Sequence, residues 1–142
     1  MGLNELILQI AFSQMGIRED IDEDRILSYF HEIGHKWVKT DDTAWCAAFV
    51  GWVLKNAHID GTNKLNARSF LDLGKDVPLR KAQEGDLVVF WRGSKTSAQG
   101  HVGFYIGEDG NNIYVLGGNQ GNKVCIDKYP LERLLSVRRL DW

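Results

Sequence analysis

The sequence predicts an α+β fold in which N-terminal helices pack on one mainly antiparallel sheet of about 4–6 strands. Three observations carry this. Helical spacing of apolar residues is confined to the first half of the chain, and period-two runs are confined to the second. The links between those runs are of hairpin length.

The elements follow in order. Leu3, Leu6, Ile7, Ile10 and Ala11 keep helical spacing from a start at Gly2 or Asn4, and Gly16 ends that helix. An acidic run, Asp20 to Asp24, precedes a second helix through Ile26, Leu27, Phe30 and Ile33, stopped at Gly34. As a calcium loop the run fails, with Arg25 where the loop needs glycine and His31 where it needs a bidentate glutamate. Acidic residues at a helix start are the better account. His31 and His35 lie four apart but lack a third ligand, so no metal is assigned to them.

Ala44 to Leu54 contains no charged residue and is too short to cross a bilayer. A helix apolar all round belongs in the middle of a core. Thr43 is its expected N-cap, with Asp41 and Asp42 at the positive end of its dipole and Cys46 at about the third helical position. Leu65 to Leu73 reads as a short helix closed by Gly74. Strands follow at Leu87–Trp91, from His101 through Ile106, at Asn112–Leu116, at Lys123–Asp127 and at Leu135–Leu140.

With 142 residues, 44% hydrophobic and 25% charged, the chain reads as one globular domain spanning 1–142. A net charge of −2 gives no footprint for nucleic acid or for an anionic membrane. Its two cysteines make no disulfide framework and no zinc spacing. The N-terminus has no basic segment followed by an apolar one, so no signal peptide is expected, and Leu6 breaks the myristoylation pattern. The expectation is a monomer made in the cytoplasm.

Cys46 carries two readings. Free cysteine is often a small core residue. Yet a thiol in the first turn of a helix feels the positive dipole end, and with a basic neighbour its pKa falls to roughly 3.5–7.5. A thiol nucleophile needs a base, and the base an orienting partner. His101 opens a strand between Gly100 and Gly103, which leave room beside the imidazole. A three-residue turn at Glu108-Asp109-Gly110 pairs His101 with Gly117 and sets Asn119 on the same face, within reach of the ring. A two-residue Asp109-Gly110 turn points Asn119 away, and Asn119 also suits a left-handed turn position.

These residues resemble the cysteine, histidine-dependent amidohydrolase/peptidase family, which with its NlpC-type relatives forms a papain-like superfamily acting on bacterial cell-wall peptides. The similarity rests on Thr43-Ala44-Trp45-Cys46, on Gly100 through Tyr105, and on Leu116 through Gly121, and covers most of the chain. Ala44 departs from the proline of the motif, and Gly117 stands near where many members carry an acidic residue.

The resemblance implies Cys46 as nucleophile, His101 as general base and Asn119 as orienting residue, with no metal or organic cofactor. The Cys46 N–H is the expected oxyanion donor, with Gln120 or Gln99 as a second. Trp45 and Trp91 serve either as cleft walls or as core. Asp41 or Asp42 serves either to bind a substrate amine or to cap the helix. The implied partner is a peptidoglycan peptide, cut in its stem by a phage lysin or by a toxin that is injected or released. A toxin would add an immunity protein or delivery machinery, and either enzyme acts at the cell wall after lysis or export. Cleavage of the N-acetylmuramoyl-L-alanine bond is the alternative reaction. A thiol protease or acyltransferase on another amide or ester, and a non-catalytic binding or structural module, remain as other readings.

Overall fold

The structure, a computed structural model, describes residues 2–39 and 44–140. Its helices are α1 (Leu3–Phe12), α2 (Glu23–Glu32) and α3 (Cys46–Asn56), with a 3₁₀ turn over Ala67–Asp72. Six strands follow: β1 (Lys75–Val77), β2 (Leu87–Trp91), β3 (Gly100–Glu108), β4 (Asn112–Gly117), β5 (Cys125–Pro130) and β6 (Leu134–Arg139). They form one sheet in the order β1-β6-β2-β3-β4-β5, with every pairing antiparallel. The α+β class is as the sequence predicts. Among the described residues no helix is long and apolar enough to cross a membrane.

Helix α3 is the centre of the core, with nine of its eleven residues buried. It lies between α1 and α2 on one side and the sheet on the other, where Leu87, Val89, Val102, Phe104 and Leu116 face it. The opposite face of the sheet closes on a second apolar cluster of Val88, Phe90, Tyr105, Val115 and Val137. This second cluster exists because the sheet curls. Phe90 on β2 stacks on Tyr129 of β5 at 5.1 Å between ring centroids, although β3 and β4 separate those strands in the ladder.

The β3–β4 hairpin differs from both expected turns. Asp109 N–H donates to the Asn112 carbonyl and Gly110 takes φ +96°, so Gly110-Asn111 is the loop. Glu108 then faces Ile113, a parity that would turn later residues of β4 away from the His101 side. A bulge between Tyr105 and Gly107 inserts one residue and restores the parity, pairing Tyr105 with Val115 and Phe104 with Leu116. The outcome is the expected face, two residues out of the expected register. It brings Gly117 beside Gly103 rather than beside His101: a Cβ on Gly103 would lie 3.6 Å from the Gly117 Cα.

Asp86 fastens α1 to the sheet from a site only 1% exposed. Its carboxylate accepts from Arg139 Nε and Nη2 at 3.0 and 2.8 Å, from Asn4 Nδ2 at 3.0 Å and from the Gln83 N–H at 2.8 Å. Removing one member of a buried ion pair strands its partners. Asp86→Ala should therefore lower unfolding free energy by about 3 kcal/mol in urea titrations. A loss under about 1 kcal/mol, the size of an exposed pair, would show that the cluster contributes little.

Candidate active site

Cys46 is the first residue of α3, not the third, and Trp45 precedes it at the N-cap with no side-chain capping bond. The expected cap Thr43 and the substrate candidates Asp41 and Asp42 lie outside the described residues. The first bond of the helix runs from the Phe49 N–H to the Trp45 carbonyl, which leaves the N–H groups of Cys46 and Ala47 outside the helical ladder. Trp45 is not a cleft wall. It is fully buried, its Nε1 donates to Glu19 Oε1 at 2.6 Å, and its ring lies against Gly118. A Cβ on Gly118 would come within 2.7 Å of Trp45 Cζ3 and 2.8 Å of Phe49 Cβ. Glycine at 118 thus lets the loop after β4 settle on the start of the thiol-bearing helix.

The thiol is only 9% exposed. Burial pushes the Cys46 pKa up, against the lowering that its place at a helix start predicts. Several groups pull the other way: the backbone N–H of Val102, the charge of Arg92, and the N–H groups of Ala47 and Cys46. These influences agree with the packing of α3 on β3, whose Val102 follows His101.

His101 is 1% exposed and fixed by two contacts. Its ring stacks on Tyr129 at 4.5 Å and an 18° interplanar angle. Its Nε2 meets the Gln120 side chain, Oε1, at 2.8 Å. Its Nδ1 is buried with no hydrogen-bond partner among the described residues, and so is not hydrogen-bonded to Cys46.

The Gln120 amide settles which nitrogen holds the proton. Its Nε2 donates to the Val115 carbonyl on β4 at 3.1 Å and to the Cys125 carbonyl on β5 at 2.8 Å. With both N–H groups spent on carbonyls, Oε1 can only accept, so His101 Nε2 carries the hydrogen and Nδ1 keeps a lone pair. Two strands of the sheet thus select the tautomer that leaves Nδ1 basic.

This corrects the expectation for Asn119. No side-chain hydrogen bond joins it to His101; it takes a left-handed conformation, φ +58°, in the turn after β4. Gln120, expected as an oxyanion donor, orients the ring instead. The space it uses belongs to residue 117, since a Cβ on Gly117 would lie 2.5 Å from Gln120 Oε1 and 3.5 Å from His101 Nε2. One sequence signal points to this. In Gly-Asn-Gln-Gly the asparagine is the better left-handed residue, which frees the glutamine to turn inward.

The remaining candidates lie elsewhere. Gln99 sits in the exposed β2–β3 loop, where its backbone carbonyl receives Arg68 Nε at 2.8 Å. Trp91 Nε1 donates to the Glu132 carbonyl at 3.3 Å, and the Arg133 guanidinium covers its ring at 5.2 Å. His31 and His35 address separate carbonyls, those of Val38 and Asn63, each at 2.7 Å.

Burial lowers the His101 pKa to about 4, helped by the Arg92 charge and opposed by the Gln120 bond and the Asp127 charge. The unfolded imidazole titrates near about 6.5, so between these values the unfolded chain binds more protons. Stability from the neutral buried ring is complete above that window and is lost as pH falls through it, by about 3 kcal/mol. Urea unfolding from pH 7 to 4 should show this loss reduced in His101→Gln. Parallel curves for the two proteins would place the acid sensitivity in other groups.

Residues 38–119 match the CHAP domain family. No curated protein matches the sequence. Among solved structures, RipD of Mycobacterium tuberculosis is similar with a TM-score of 0.63 at 14% identity over 99% of both chains. It is described as a non-catalytic NlpC/p60 domain protein adapted to peptidoglycan binding. The P60 domain of a Mycobacterium avium subspecies paratuberculosis antigen gives a TM-score of 0.59 at 16% identity, covering 99% of this chain and 96% of that one. An NLP/P60 lipoprotein-like protein of Staphylococcus aureus gives 0.57 at 19% identity, with 98% of this chain matched to 42% of that one.

Proposed function

Because the chain belongs to the CHAP domain family, we propose that it is a peptidoglycan hydrolase that cuts an amide of the stem peptide by acyl transfer through Cys46. One observation carries the reading. His101 Nδ1 is buried, without a hydrogen-bond partner among the described residues and held as the basic nitrogen, on the strand that packs against the helix carrying Cys46. That lone pair, on a ring held from its other side by Gln120, is what a proton acceptor for a thiol requires.

In the resting site, burial keeps the proton on sulfur and off the imidazole. Reaction begins when Nδ1 takes the thiol proton as the sulfur bonds to the scissile carbonyl carbon. The carbonyl oxygen becomes an oxyanion facing the Cys46 N–H. Collapse expels the amine, which leaves with the proton from Nδ1. Water, giving a proton to Nδ1, then cleaves the thioester and restores the thiol.

A thiol suits acyl transfer, whereas cutting glycan usually takes two facing carboxylates. The favoured bond is a peptide bond within the stem; the bond between the glycan and the first alanine is the alternative. The place of action is the cell wall, reached after phage lysis or export. A second reading, peptidoglycan binding without cleavage, draws support from the similarity to RipD and from the absence of a Cys46–His101 hydrogen bond. Mass analysis of digested peptidoglycan separates them. New free amines on stem-peptide residues support the endopeptidase, and intact stem peptides released from bare glycan show the amidase. Retention on peptidoglycan with no new product leaves only the binding module.

A further inference from the structure

Arg92 follows the last residue of β2 and is exposed. Phe90 faces His101 directly in the β2–β3 ladder, and strand alternation returns Arg92 to the face of Phe90. The Arg92 N–H closes on the Gln99 carbonyl at 3.2 Å, so the ladder geometry extends to this residue. The loop that follows is fixed by Arg68, which donates to the carbonyls of Gln99, Lys95 and Ser94 at 2.8, 2.7 and 2.8 Å. Ser97 Oγ adds a bond to the Arg92 carbonyl at 2.5 Å. The backbone of Arg92 is thus held from several directions.

Its guanidinium is not. Arg92 is exposed, and its side chain makes no hydrogen bond or ion pair with the described residues. Its charge nevertheless acts on Cys46, His101 and Tyr129 together. Asp127 on β5 acts on His101 in the opposite sense without forming an ion pair with Arg92. Among the described residues, then, this cation has no ion-pair partner, while its charge bears on both Cys46 and His101.

We propose that Arg92 is a specificity residue that binds a carboxylate of the peptide beside the scissile amide. The planar guanidinium fits a carboxylate through two parallel N–H bonds. Such a carboxylate would give the guanidinium the ion pair that the described residues do not supply. The proposal rests on the reading of this site as a stem-peptide site.

Binding to Cys46→Ala protein tests it without turnover. The probes are pairs of stem peptides identical except that one free carboxylate is a carboxamide. The carboxylate form of one pair should bind about tenfold tighter, with the preference shrinking as salt rises. Arg92→Gln in the same background should bring that ratio near one and change carboxamide binding less than about twofold, while Arg92→Lys keeps part of the preference. With Cys46 intact, Arg92→Gln should move the acidic limb of kcat/KM to higher pH, since a charge that lowers the imidazole pKa is gone. Equal affinities in every pair, or a preference that survives Arg92→Gln, would overturn the proposal. A preference that depends on Arg92 in a protein that cuts nothing would keep it and remove the hydrolase.

Discussion

Cys46→Ala abolishes stem-peptide cleavage, by about 10⁴-fold or more, if the thiol is the nucleophile. No other group near the sulfur replaces it, since Val102 and Ala47 contribute only backbone amides there. The expected stability cost is about 1 kcal/mol, that of an ordinary point substitution, because one small buried atom is removed from a helix otherwise held by its neighbours. Single-turnover rates on purified muropeptides, with urea unfolding of the same preparation, separate the two effects. A folded variant within tenfold of the native rate would exclude covalent catalysis at this residue.

Gln120→Leu should slow turnover by about 10²–10⁴-fold, the range seen where an imidazole loses the partner that fixes its tautomer. It also strands the Val115 and Cys125 carbonyls that the amide serves, at a cost of about 1–3 kcal/mol for each group left unsatisfied. Gln120→Glu controls for that loss: it gives up the same donors but keeps an acceptor for His101 Nε2. It should be less stable yet retain more activity than the leucine variant. Asn119→Ala replaces a left-handed turn residue, and its expected effect is about 1 kcal/mol of stability with activity within severalfold. If Asn119→Ala proves as slow as Gln120→Leu, the orienting role returns to Asn119.

Much of the scaffold was legible in the residues. The charge-free stretch that becomes α3 required a buried helix, the apolar run Leu87–Trp91 and the alternation from His101 to Ile106 marked β2 and β3, and turn residues set off the strands after them. β1 was not legible, because Lys75-Asp76-Val77 has no apolar run to mark it. It is an edge strand, defined by its pairing with β6. The bulge at Ile106 was hidden for a similar reason, since a single inserted residue leaves the alternation on either side intact.

At the site, the helix-start cysteine and the strand-start histidine could be found by position, but their electrostatics could not. The dipole argument lowers a thiol pKa, whereas burial in the core raises it. Gln120 escaped because a side chain folding back from a turn follows no period, and Asn119, beside it, met the same polar criterion. Trp45 was ambiguous until its ring was found beneath Gly118 and its indole nitrogen on Glu19.

The empty Cβ position at Gly117 ties two residues into one evolutionary choice. Volume beside the imidazole is shared between residue 117 and the carboxamide arriving from residue 120, and the 2.5 Å approach means that a side chain at 117 displaces the carboxamide from its present position. An acidic residue placed at 117 would evict Gln120, and shortening Gln120 alone would leave the ring without its acceptor. Each change is damaging singly, and the two are compatible only as a pair. Substitutions at 117 and 120 are therefore expected to be epistatic, the effect of one depending on the residue at the other.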